Sequence, residues 1–287
     1  MQIEKLTAEI NGEQIHYSRL GTGRPLLLLH GLLGGSFCWR GNMEPLSQRH
    51  TVFALDLPGH GENDALRHVD CSMLVQANRI LYLMERLKLQ EVDVVGSSWG
   101  GAIAMLLAAQ SAKVRSLVLA APVNPWSTLG LRRIKFFNGY IGEALLRIAW
   151  PFSRPLYRIA LARMYGDPTR LSAGTVAGYV SQIMRAGRVD NILNTLRSWE
   201  KDVDALRAAI PKIKARSLLI WGSRDSAVDM RSAEPLKQAL PQCQLKIIEG
   251  AGHLPFEETS DEFNRLVLNF VERFPATGSS DRNPASP

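Results

Sequence analysis

The stretch "VVGSSWGG", residues 94–101, runs from two β-branched residues through a glycine, two serines and a tryptophan into two more glycines. Just upstream, "EVDVVG" has the composition of a strand. Just downstream, "GGAIAMLLAAQ" is apolar nearly all round and reads as a buried helix. A strand, a sharp turn and a helix therefore meet at Gly96-Ser97-Ser98-Trp99-Gly100. The frame G-x-S-x-G puts Ser98 at its centre, with glycines where a Cβ would clash. Glycines and serines also make ordinary turns, so the pentapeptide alone is a weak signal. Between a strand and a helix it predicts that the Ser98 hydroxyl is lifted above the sheet edge, beside the positive end of the helix. Ser97 then reads as a turn residue whose side chain stays out of the site.

Outward from this point the same alternation continues. "IEKLTAEI" and "EQIHYSRL" read as strands joined by a turn at Asn11-Gly12, followed by strands "RPLLLLH" and "TVFALDL". Ser72 is expected to cap a helix with apolar positions Leu74, Ala77, Leu81 and Met84. Beyond the central helix come strands "VRSLVLAAP", "RSLLIWG" and "QLKIIEG", with helices near Ala233–Ala239 and Asp261–Phe274. From Trp126 to about Ala209 only helical stretches appear, interrupted by Pro151, Pro155 and Pro168. The pattern predicts an α/β fold: a mostly parallel sheet with helices on both faces and an inserted helical cap over the carboxyl ends of the strands. The expected division is a core of 1–125 and 210–274, a cap of 126–209 and a disordered tail of 275–287.

Composition narrows the classes. A chain of 287 residues, 46% hydrophobic, suits one large domain or one domain with an insertion. No stretch approaches the roughly 20 apolar residues of a membrane span, and no signal peptide is visible. Cys38, Cys71 and Cys243 are odd in number and lack metal-like spacing, so they read as thiols of a reducing, cytoplasmic setting. The net charge of +7 is uneven. Between Leu131 and Arg170, six arginines from Arg132 to Arg163 and Lys135 precede Arg170, against Glu143 and Asp167. This reads first as a solvated helix face, with an anionic substrate or a membrane surface as the sharper alternatives. Nucleic-acid binding is disfavoured because no recognised motif accompanies the charge.

A serine hydroxyl needs a base to take its proton, and the base needs an orienting group. His253, in "GAGHLPFEE" after the last apolar strand, lies where a histidine can hang over the sheet edge. The order nucleophile first, histidine last, favours it. An acid is expected between them. Asp225 follows "SLLIWGSR" at a strand end and is preferred, with Asp229 a weaker second; the position after "SLVLAAP" offers only Asn124.

On "LLLLHGLLGG", "VFALDLPGHGEN", "VVGSSWGGAIA", "LLIWGSRDSAV" and "GAGHLPFEE", in that order, the chain resembles the α/β-hydrolases with a helical cap, from about Ala8 to Phe274. The resemblance implies a triad of Ser98, Asp225 and His253. The main-chain N–H of Trp99 follows the nucleophile and reads as one oxyanion donor, and the resemblance adds that of Leu32. His30, Asp56 and His60 are expected to shape loops, and Glu62-Asn63 departs from the small residues common there without clear consequence. The Trp99 ring is either core or pocket wall. Substrate contacts are expected from Leu33, Trp126, Leu129, Trp150, Met164, Val228 and Leu254. Apolar residues such as Phe136, Phe137, Ile148 and Tyr165 add to the cap, most of them as its own core.

Dehalogenases and epoxide hydrolases of this fold also carry tryptophan after the nucleophile, but their nucleophile is aspartate. Attack by aspartate on an alkyl carbon gives an ester that water can open, whereas Ser98 would give an ether, a dead end. Proline iminopeptidases share Ser-Trp, but "DLPGHG" does not resemble their loop. The sequence therefore predicts a carboxylesterase acting on small to medium, largely apolar esters, with no metal or cofactor. Carbon–carbon bond hydrolysis, lactone opening, acyl transfer, lipid hydrolysis at a membrane and a non-catalytic receptor are the alternatives.

Overall fold

Eight strands pair into one sheet in the order β1-β2-β4-β3-β5-β6-β7-β8. They are β1 (Glu4–Ile10), β2 (Glu13–Leu20), β3 (Arg24–Leu29), β4 (His50–Leu55), β5 (Val92–Ser97), β6 (Val114–Ala120), β7 (Arg216–Gly222) and β8 (Cys243–Ile248). β2 pairs antiparallel with β1 and β4, and all other pairings are parallel. The computed structural model describes residues 2–10, 12–63 and 70–273. Asn11 of the expected first turn, Phe274 at the expected end of the last helix and the tail 275–287 lie outside the described residues.

The inner parallel strands are covered on both faces, which is why they read as unbroken apolar runs, whereas the edge strand β8 is only partly buried. Leu27 and Leu29 of β3, Val94 of β5 and Leu117 of β6 join one core cluster. Their chain neighbours Leu26, Leu28, Val95 and Val118 join the other, as the two-residue side-chain period requires. At the opposite end of β5 from Ser98, buried Asp93 pairs with Arg24 (3.0 Å) and Arg115 (2.6 Å).

Three α-helices precede β6: α1 (Met43–Ser47), α2 (Met73–Arg86) and α3 (Trp99–Gln110). α3 is buried from Trp99 to Ala108, as expected of a helix apolar all round. In α2 the expected stripe is displaced. Leu74 is 40% exposed, and the buried face is Met73, Gln76, Ala77, Ile80, Leu83 and Met84. Gln76 enters that face because its Nε2 donates to Pro58 O (3.0 Å), and a polar residue in the stripe hid it from the apolar count. Ser72 stands at the N-cap but its side chain makes no capping bond.

Between β6 and β7 lie α4 (Leu131–Phe137), α5 (Tyr140–Ala149), α6 (Arg154–Met164), α7 (Ala173–Ile183) and α8 (Arg188–Ala209), with no strand among the described residues. Pro151 falls in a 3-10 turn between α5 and α6, and Pro155 opens α6 instead of breaking it. α8 is bound to the loop after β4 by buried Arg188, which donates to the carbonyls of Gly59, Gly61 (2.6 Å) and Asn63 (3.0 Å). Asn63 also accepts from His16 N (2.9 Å) and donates to Asp56 O, so this departure from the usual small residue fastens a loop to β2. After β7 and β8 come α9 (Ala233–Ala239), α10 (Pro255–Glu258) and α11 (Ser260–Glu272).

Candidate active site

β5 ends at Ser97 and α3 begins at Trp99, so the whole reversal falls on Ser98. Its φ of 51° with ψ of −115° is a conformation that only surrounding structure can hold in a residue with a side chain. Its N–H donates to Ala120 O (2.9 Å), and its carbonyl accepts from Gly101 N and Val123 N (both 3.0 Å). A Cβ on Gly96 would come within 2.6 Å of Gly100 O, and one on Gly100 within 2.4 Å of His30 O. Strand, helix and the loop after β3 thus close on one another with no room for side chains. The Ser97 side chain is fully buried and its Oγ has no partner among the described residues. Trp99 is also fully buried, in the core cluster around α3.

The loop after β3 turns back on itself, with Gly34 N donating to Gly31 O (3.0 Å) and Leu33 at φ 67°. It lies against the elbow, since a Cβ on Gly31 would stand 3.2 Å from Ser98 Cβ. Leu57 N donates to His30 Nε2 (3.0 Å), so the His30 proton is on Nδ1, which donates to Gly31 O (2.8 Å). Burial lowers the pKa of His30. Burial, reinforced by His30, holds His60 well below the usual histidine value. Asp56 accepts from Ser36 N (2.5 Å) and Glu62 N (3.1 Å). The His30 and Asp56 side chains fasten loops, while the His60 ring packs against those of His30 (5.6 Å) and Trp99 (5.0 Å).

Asp225 follows β7. Its Oδ1 accepts from Ala227 N (2.8 Å) and Val228 N (3.1 Å), and its Oδ2 lies 2.9 Å from His253 Nδ1, with the carboxylate fully buried. An ionised carboxylate only accepts, so Nδ1 carries the proton and Nε2 is left to accept another. Asp229, the other carboxylate weighed from sequence, caps a 3-10 turn and pairs with Arg231 (2.8 Å). Asn124 is spent on Pro122 O, Ser232 Oγ and Trp126 N. Ser98, Asp225 and His253 thus stand at the carboxyl ends of β5, β7 and β8.

The inserted helices reach each of these loops. Tyr157 of α6 donates to Leu33 O (3.4 Å), Ser226 Oγ to Arg163 O (2.6 Å), and His253 N to Met164 O (2.6 Å). The buried carboxylate of Glu258 accepts from Gly252 N (2.8 Å) on the His253 loop and from Gly166 N (3.0 Å) and Asp167 N (2.8 Å) after α6. Glu257 accepts from Tyr165 (2.6 Å), Tyr179 (2.8 Å) and Arg40 (2.9 Å). Burial, with the Glu257 charge next in effect, raises both phenols and keeps them protonated donors. Sequence reasoning passed over both glutamates. Their only signal was a pair of acids in the first turn of a helix, which usually faces water.

Of the expected pocket residues, Val228 and Leu254 are buried beside Asp225 and His253, and Leu33 and Met164 are half-buried in the loops just described. Leu32 is half-buried against the α3 cluster and Trp150 half-buried in the turn before α6, whereas Trp126 and Leu129 are largely exposed. Among the described residues no group of histidine, cysteine, aspartate and glutamate is arranged to hold a metal.

Known proteins share this arrangement of the chain. An uncharacterised protein of Mycobacterium tuberculosis is 30% identical over 275 residues, which cover 92% of this chain and 80% of that protein. A 2-hydroxy-6-oxononadienedioate/2-hydroxy-6-oxononatrienedioate hydrolase of Pseudomonas putida is 28% identical over 273 residues, covering 90% and 92%. The solved structure of an epoxide hydrolase superposes with a TM-score of 0.84 at 23% identity, over 94% of this chain and 98% of the other. The model of the alpha/beta hydrolase fold matches residues 24–260, from the first parallel strand to the start of α11, and the chain belongs to that family.

Proposed function

We propose that the protein is a serine hydrolase that cleaves carboxylic esters through an acyl-enzyme. One observation carries this reading: a serine on a strained strand–helix elbow shares a sheet edge with a histidine whose Nδ1 is held by a buried carboxylate. Ser98 Oγ attacks the ester carbonyl while His253 Nε2 takes its proton and passes it to the leaving alkoxide. A water activated by the same nitrogen then attacks the acyl carbon and frees Ser98. Main-chain N–H groups of Trp99 and Leu32 receive the oxyanion. The close packing of the Gly31–Gly34 turn on Ser98 supports that assignment. The helices between β6 and β7 act as the cap, with Met164, Trp150 and Leu33 giving the substrate an apolar surface. A reducing, cytoplasmic setting is supported by three free cysteines, two of them buried.

Carbon–carbon hydrolysis is the second reading, favoured by the likeness to the Pseudomonas putida hydrolase. Both readings use Ser98 and differ in substrate. In the test, p-nitrophenyl butyrate turnover falls at least ~10³-fold in Ser98→Ala, while Ser97→Ala keeps most of it. A fluorophosphonate that labels Ser98→Ala as well as the natural chain would refute the nucleophile. Labelling of Ser98 without hydrolysis of any ester would move the reading to the carbon–carbon reaction or to a receptor.

A further inference from the structure

The apolar face of α5 points away from the protein. Ile141, Leu145 and Ile148 recur at helical spacing, and Phe152 in the following turn extends the row. Ile141 is 74%, Ile148 69% and Phe152 76% exposed. On α6, Leu156 and Ile159 are also more than half exposed. Monomeric proteins seldom leave so many large apolar side chains together in water. The same segment carries Arg154, Arg158 and Arg163, and α4 carries Arg132 and Arg133. All five are exposed and make no ion pair among the described residues. On α5 itself Arg147 is neutralised by Glu143 (3.0 Å) and Asp190 (2.5 Å), so it is not one of the five.

We propose that α5, the turn at Phe152 and α6 form a docking surface for an anionic phospholipid bilayer. An amphipathic helix with exposed isoleucine, leucine and phenylalanine enters the headgroup boundary, and unpaired arginines beside it meet lipid phosphates. Charge complementarity selects this occupant: five cations without ion-pair partners among the described residues call for an anionic surface, and the apolar row calls for one with a hydrocarbon interior. No helix of the described residues is long and apolar enough to cross a membrane, so the contact is peripheral. The end of α6 accepts the hydrogen bond from His253 N, so docking would hold the candidate site at the lipid boundary. The proposal stands on surface chemistry and does not depend on which bond the site cleaves.

Co-sedimentation of the full chain at physiological salt tests it. The probes are vesicles of phosphatidylcholine and vesicles of equal parts phosphatidylcholine and phosphatidylglycerol. The mixed vesicles should bind at least about tenfold more protein. Ile141→Ser with Phe152→Ser, both exposed and so compatible with an unchanged melting temperature, should lower that binding about tenfold although no charge changes. Arg154→Gln with Arg158→Gln should lower it about as far, while Arg86→Gln with Lys246→Gln, a charge-matched change away from the cap, should alter it less than about twofold. Absence of binding to the mixed vesicles overturns the proposal, as does binding that ignores the apolar pair or falls equally in the control pair. Self-association of the chain, abolished by the apolar pair and without vesicle binding, would assign the face to a second copy instead.

Discussion

Around Asp225 and His253 the polar side chains are buried and the carboxylate is held by Ala227 N, Val228 N and His253 Nδ1, whereas along α5 and α6 large apolar and cationic side chains stand in water. The two regions meet at Met164–Asp167, where main-chain groups of the insertion hydrogen-bond the His253 loop and Glu258. The contrast separates two kinds of information. The strand-end loops fix where atoms stand, and the outer helices fix what the protein meets. The junction belongs to the first kind, although in sequence it lies inside the insertion.

The largest effect is expected at the acid. Asp225→Asn should leave folding intact and lower kcat on the order of 10⁴-fold, by analogy with the serine proteases, while Asp229→Asn should change it little. Steady-state rates with p-nitrophenyl butyrate decide this, and the reverse ranking would break the picture of matched strand-end loops. The junction comes next. Glu258→Gln replaces one acceptor oxygen with an amide NH2, a donor facing main-chain N–H groups, and should cost about 2–3 kcal/mol in urea unfolding. It should also lower kcat/KM for short and long esters by the same factor, because it disturbs the His253 loop and not the pocket. Unchanged stability would show that the insertion does not rest on this contact.

A third test uses pH. His30 and His60 have pKa values lowered in the folded state by burial, so below about pH 6.5 the unfolded chain binds more protons than the folded one. Stability is therefore fully present above that pH and falls on acidification, by up to about 1.4 kcal/mol per histidine for each pH unit. Unfolding curves at pH 7.5 and 5.5, repeated with His60→Gln, should show a shallower fall in the variant; equal slopes would mean that His60 is not held neutral. The smallest effect is expected on the pocket side. Trp150→Ala should shift the kcat/KM ratio of long to short nitrophenyl esters a few-fold, since each methylene contact contributes about 0.8 kcal/mol. A uniform fall for both esters would mean that this part of the insertion completes the site as the junction does.

What could be read from sequence follows from the range of the interactions. The elbow is local: strand, glycines and helix within a dozen residues determine Ser98. The inner parallel strands announced themselves because both faces are covered. Arg188, Asn63, Glu257 and Glu258 could not be read this way. Each bonds to chain more than 40 residues away, and charged or amide side chains with unknown partners read as surface. The α2 stripe was missed for a related reason, since Gln76 is buried by a distant carbonyl.

The joins between Glu258 and residues 166 and 167 span 92 and 91 positions of chain. On a ribosome, residues 1–123 could close the elbow around Ser98 long before the histidine loop emerges. The nascent chain would then display a hydroxyl with no base, and the last strand would arm it together with the fastening of the helices. Stalled chains ending before residue 243 should therefore ignore a fluorophosphonate that the released protein takes up; labelling of the stalled chains would show that the serine is activated without its histidine.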